Sequence, residues 1–196
     1  MNSSFADAEM MPLRRSIETY IFAKDRNRPH LLSRAFSADA ELVIDVKTDE
    51  ITFPTTTKGL PGISAVVVSE FAQRYENIYT FCMEIPPDGA AAFRCNWLVC
   101  MTEKLSGAVR VGFGNYEWCC RDDSNLISRL KITIEEMRNL PGELGDSILE
   151  WASMLPYPWC SPDLLLQNAP DIPVIQEIVA SLAHCQSGPA DLAGGH

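Results

Sequence analysis

A chain of 196 residues with 46% hydrophobic content can bury one sizeable core and is too short for two ordinary domains. Its formal charge of -10 and pI near 4.7 speak against nucleic acid, whose binders need clustered Lys and Arg to displace counterions, and against anionic membrane surfaces. The opening MNSSFADAEMM lacks the basic start and apolar run of a signal peptide, and no apolar stretch approaches the roughly 20 residues of a membrane helix. Cys82, Cys95, Cys100, Cys119, Cys120, Cys160 and Cys185 form no CxxC pair, so they read as reduced thiols of a cytoplasmic protein. His30, His184 and His196 stand at no ligand spacing, so neither a metal nor another cofactor is expected.

In chain order, Leu13, Ile17, Tyr20 and Ile21 recur at three- and four-residue spacing and predict a first amphipathic helix from Ala8 to Lys24. Pro29 suits the first turn of a second helix, with Leu31, Leu32, Ala35 and Phe36 as its apolar face. Between the two, Asp25 reads as a turn residue that hydrogen-bonds free N–H groups near the second helix's start. The β-branched run AELVIDV is a strand, ITFPTTT a short extended piece, and Ile63, Val66, Val67, Phe71 and Tyr75 mark a third helix over about Pro61 to Tyr75.

Four extended runs follow, IYTFCMEI, AAFRCNWLVCMTE, GAVRVGFGNYEWCC and LISRLKITIEEM. The links PPDG, KLSG and RDDSN are turn chemistry, so these strands form an antiparallel meander. Long strands of this kind curl, and the three helices close the concave side. Residues 141–196 differ in composition: seven of the thirteen prolines, seven carboxylates and no Lys or Arg lie there. Short helices are expected at about 143–153, from Ser161 and Pro162 onward, and from Pro173 to His184, with a frayed end. Trp151, Leu155, Trp159, Leu164 and Leu165 are too apolar for a disordered tail, so this part should pack on the domain or on a partner subunit.

The fold class is therefore α+β: three N-terminal helices on a strongly curved, mainly antiparallel sheet (1–140), with a Pro-rich, acidic helical extension (141–196). This order, with the phrases YIFAKD..RPHLLSRAFSADAELVID, G..GI..VV..F....EN and SGAVRVGFGNYEW, resembles the SnoaL-like domains of the nuclear transport factor 2-like superfamily over about residues 10–137. Relatives named by that resemblance include scytalone dehydratase and ketosteroid isomerase. A shared fold transfers no reaction, so positions are compared singly. The dehydratase's Tyr-Asp pair falls on Ile21 and Phe22, its two histidines on Asn77 and about Cys100, a tyrosine on Val46, and its asparagine on Asn115. Dehydration by that mechanism is not expected.

The isomerase's aspartate base falls within one residue of Asp45, and Glu117 is a plausible counterpart of its protonated acid. The resemblance thus implies a pocket for a small organic ligand, with Asp45 and Glu117 as candidate catalytic acid or base. Phe22, Phe53, Asn77, Asn96, Cys100, Phe113 and Asn115 are the candidate ligand contacts, since an apolar lining with a few amides is what a small-molecule pocket looks like. An enzyme on this scaffold would be a cofactor-independent isomerase, cyclase or lyase. The alternative is a non-catalytic interaction or dimerisation domain, and a homodimer through the outer sheet face is implied in either case. Arg94 and Glu117 are further expected to face each other across adjacent strands.

Overall fold

A computed structural model describes residues 12–121, 124 and 126–184. Helix α1 (Pro12–Asp25) is built on the expected stripe: Leu13, Ile17, Tyr20 and Ile21 are all fully buried. The predicted start at Ala8 lies outside the described residues. Asn27, at φ 50, then breaks the helix.

The second predicted helix is a short 3-10 segment, Pro29–Arg34, and Phe36 belongs to a strand instead. The Ala35 N–H bonds back to Leu32 O, the tight i→i+3 closure that seldom runs beyond a few residues, while Ile127 N–H donates to Ala35 O and draws the chain into the sheet. Strand β1 (Phe36–Val46) therefore begins four residues before the predicted run, with a register shift between Phe36 and Glu41. The predicted extended piece supplies the edge strand β2 (Thr56–Lys58).

The third predicted helix is a continuous rod of α2 (Leu60–Ser64), a π-helical turn (Ala65–Ser69) and α3 (Glu70–Arg74). The wider π turn rotates the following residues, so Val67 and Val68 are both buried and Val66 is only half-buried. Tyr75 opens the first strand of the meander.

Strands β3 (Tyr75–Cys82), β4 (Ala92–Glu103), β5 (Val109–Cys120) and β6 (Ile127–Leu140) are the four predicted runs. The sheet order is β2-β1-β6-β5-β4-β3, antiparallel except for the pairing of β1 with β6. Ladder irregularities at Glu76/Tyr79, Phe113/Gly114 and Cys119/Cys120 increase local twist and help curl the sheet into an unclosed cone. Asn77 sits in the first of these at φ 51, a conformation that asparagine tolerates, and its amide donates to Thr102 Oγ1 at 3.3 Å.

Side-chain alternation divides the strands between two cores. Cys95, Trp97, Val99, Met101, Tyr116, Trp118, Ile132 and Ile134 pack with α1 and the rod on the concave side. Phe81, Leu98, Cys100, Val111 and Phe113 face the convex side. There they meet α4 (Gly145–Met154), α5 (Pro162–Asn168) and α6 (Pro173–His184), through Ile148, Trp151, Leu165, Ile175, Ile178 and Leu182. Ser161 stands at the N-cap of α5 as predicted, although its carbonyl, rather than its side chain, accepts from Leu164 and Leu165. The chain's own helices thus cover the β3–β5 part of the face on which the resemblance placed a homodimer contact, while Asp45, Glu117 and Lys131 on the same face stay partly exposed.

Candidate ligand-binding cleft

The concave side holds a narrow apolar cleft of about 50 Å3, set within about 490 Å3 of space between atoms that includes open solvent at its mouth. Strand alternation aims Trp97, Val99 and Met101 of β4 into it, together with Ile132 and Ile134 of β6. Helical spacing brings Val67 and Phe71 from the rod, and Tyr20 and Lys24, one turn apart, from α1. Two glycines of VGFGN make room: a Cβ on Gly114 would lie 2.9 Å from the Trp97 ring and collide with Thr133 O, and one on Gly112 would strike Met137 Sδ at 2.8 Å. Trp97 and Met137 both line the cleft.

The polar groups of this lining are Lys24, Trp97 Nε1 and the hydroxyls of Tyr20, Thr80 and Tyr116, each able to donate a hydrogen bond. Lys24 Nζ donates to Asp25 Oδ1 at 2.5 Å and Thr80 Oγ1 at 2.7 Å, and lies 5.2 Å from the centre of the Phe71 ring. An ammonium has three N–H bonds, so one remains for the cleft. The Tyr20 hydroxyl and Trp97 Nε1 are buried without a hydrogen-bond partner among the described residues.

Asp25 departs from its sequence reading. It does not serve the start of the 3-10 segment; its side chain is fully buried beneath the cleft. Besides Lys24, it accepts from the Thr80 N–H at 2.8 Å, the Thr80 hydroxyl at 2.9 Å and the Tyr157 hydroxyl at 2.9 Å. Tyr157 arrives on a strap between α4 and α5 that bonds along β3, with Cys82 N–H donating to Pro158 O at 2.7 Å and Cys160 N–H to Cys82 O at 3.0 Å. Trp159 Nε1 fastens the same strap to α1 through Glu18, at 2.6 Å.

Of the sequence-predicted contacts, Phe53 lines the cleft and the others stand elsewhere. Phe22 is 45% exposed, on the side of α1 away from Tyr20 and Lys24. Asn96 and Asn115 face each other across β4 and β5, pointing oppositely to Trp97 and Tyr116, and Asn115 stands opposite Thr133. Cys100 and Phe113 belong to the convex core, and burial alone pushes the Cys100 thiol up to about 12, leaving it inert. Asn77 marks the β3 irregularity described above.

The two candidate acids are likewise outside the lining. Asp45 projects from β1 oppositely to Ile44, partly exposed, and pairs with Lys47 at 2.8 Å. Glu117 is opposite Arg94 in register, as expected, but its ion pair is with Lys131, at 3.1 Å. Among the described residues no group of three His, Cys, Asp or Glu could hold a metal ion. Lys24 was missed although a signal existed: the stripe Ile17, Tyr20, Ile21 continues at Lys24, which places a lysine where a core residue belongs.

Burial raises the Tyr20 hydroxyl well above its ordinary value, with the Asp25 charge adding to it; burial likewise raises Tyr116, with Tyr20 adding. Above about pH 10 an unfolded chain would release these protons while the folded one keeps them. The unfolded state then binds fewer protons, so stability falls as pH rises, by about 1.4 kcal/mol per pH unit for each of the two. An absorbance titration should find at least two of the five tyrosines un-ionised until the chain unfolds. Ionisation of all five near pH 10 in the folded protein would contradict this.

No family model matches the chain, and no curated protein matches it. Among solved structures it is similar to Delta 5-3-ketosteroid isomerase from Mycobacterium sp., with 16% identity over 66% of this chain and 98% of that one, TM-score 0.51. It is similar also to RV0760c from Mycobacterium tuberculosis, solved with estradiol-17beta-hemisuccinate: 11% identity, 62% and 92% covered, TM-score 0.51. A third is a computationally designed 17-OHP binder, at 12% identity, 66% and 98% covered, TM-score 0.52. At these identities the likeness establishes the fold, and the chain has the nuclear transport factor 2-like fold. No helix among the described residues is long and apolar enough to cross a membrane.

Proposed function

We propose that the protein binds a small, mostly apolar, ring-containing organic molecule in the concave cleft. The observation that carries this reading is the pairing of an apolar wall with two buried donors that lack partners, Tyr20 Oη and Trp97 Nε1. A buried polar group without a partner costs about 1–3 kcal/mol, and an acceptor oxygen on a ligand removes that cost. The complex of RV0760c with estradiol-17beta-hemisuccinate and the design of a 17-OHP binder on the same fold are consistent with it. Binding rather than turnover is favoured, because Asp45 and Glu117 stand outside the lining and Asp25 already accepts four hydrogen bonds. A cytoplasmic setting belongs to the same proposal and rests on the free thiols of Cys82, Cys95, Cys100, Cys119, Cys120 and Cys160. A homodimer through the outer sheet face would use the part around Asp45, Glu117 and Lys131 that α4, α5 and α6 leave open.

Equilibrium dialysis with 2-acetylnaphthalene tests the reading. One saturable site is expected, and Val67→Phe, which fills the cleft, should weaken it at least tenfold with an unchanged circular dichroism spectrum. Equal affinity in both proteins would overturn the cleft as the binding site.

A further inference from the structure

We propose that the cleft discriminates by charge, accepting neutral carbonyl compounds (ketones, aldehydes or esters on an apolar ring) and rejecting the corresponding carboxylates; this rests on the cleft reading above. Lys24 is the sole charged side chain in the lining among the described residues, and an isolated buried lysine would attract anions. Its charge is already matched. Asp25 Oδ1 lies 2.5 Å from Nζ, the two side chains are 0% and 8% exposed, and the Thr80 and Tyr157 donors hold the Asp25 carboxylate in place from three further directions. The pair presents hydrogen-bond donors to the cleft and no net charge.

A ligand carboxylate entering here would give up its hydration against walls of Ile, Val, Phe and Met. It would also approach the Asp25 carboxylate, with no unmatched cation to offset either cost. A carbonyl oxygen loses far less hydration and finds what it needs in the third Lys24 N–H, the Tyr20 hydroxyl and Trp97 Nε1. Tyr20 suits this role because burial holds its proton in place, so it donates throughout the neutral range. Asp25 is thus a specificity residue that need not touch the ligand: it sets the charge of the site through Lys24.

The test compares 2-acetylnaphthalene with 2-naphthoate, which replaces the ketone's methyl group by a charged oxygen, by equilibrium dialysis at pH 7.5. The native protein should bind the ketone at least tenfold more tightly. Asp25→Asn leaves the Lys24 charge unmatched, so naphthoate should bind this variant at least tenfold more tightly than it binds the native protein, and the ketone's advantage over naphthoate should shrink. Naphthoate binding the native protein as tightly as the ketone would overturn the charge inference and leave the cleft reading standing. An unaltered naphthoate affinity in a folded Asp25→Asn protein would overturn Asp25 as its origin. Binding of neither probe would overturn the cleft reading and this inference together. Should Asp25→Asn fail to fold, the native comparison alone decides.

Discussion

Asp25→Ala is expected to destabilise the protein by about 3–5 kcal/mol, the usual cost of removing one partner from a buried ion pair. The substitution strands the Lys24 ammonium, 8% exposed, and removes the acceptor for the Thr80 N–H, the Thr80 hydroxyl and the Tyr157 hydroxyl in one step. Total stabilities of domains this size run to about 5–15 kcal/mol, so the loss is a large fraction of the whole. Urea denaturation should show it as a lower midpoint. Asp25→Asn, which retains an acceptor oxygen for Thr80, should lose less. A stability of Asp25→Ala within about 1 kcal/mol of native would mean that the cluster holds nothing together.

Ending the chain after Leu140 should have the second large effect. The convex side chains Phe81, Leu98, Cys100, Val109, Val111, Phe113 and Leu140, each 9% exposed or less, would lose the cover of α4, α5 and α6. A contiguous apolar patch of that kind drives self-association. The same truncation removes Tyr157 from Asp25 and Trp159 from Glu18, which loosens α1 beside the cleft. Insoluble protein or large assemblies are expected in sedimentation. A soluble monomer melting at the temperature of the full chain would show that the extension is dispensable.

Much of the scaffold was legible because its signals are local. The period of Leu13, Ile17, Tyr20 and Ile21 fixes α1, and the turn residues between the four long runs fix the meander. Pro162 and Pro173 stand at the first positions of α5 and α6, as their missing N–H groups predict. Phe36 misled because its burial fits a helix face and a strand equally well; its partner, Ile127, is 91 residues away. Val66 and Val68 exchanged places because a π turn inserts no readable mark.

The cleft was harder to read because facing within a strand is set by register, and ladder irregularities such as Phe113/Gly114 shift it. Asn96, Asn115, Cys100 and Phe113 lie on the strands that line the cleft but face away from it, while their neighbours Trp97, Val99 and Tyr116 face into it. Asp25 misled for a different reason. Its position in KDRNRPH is that of a solvated turn, and nothing local announces that Tyr157, 132 residues later, closes over it.

A small carbonyl compound is proposed to bind in the concave cleft, whose lining includes Trp97, Tyr20 and Lys24. Nitrogen-15 NMR of the indole N–H groups tests it most directly, since the four tryptophans, Trp97, Trp118, Trp151 and Trp159, give separate signals and only Trp97 lines the cleft. On titration with 2-acetylnaphthalene the Trp97 signal should shift saturably, while that of Trp151, under the convex face, stays in place. A Trp151 shift with Trp97 unmoved would contradict the account.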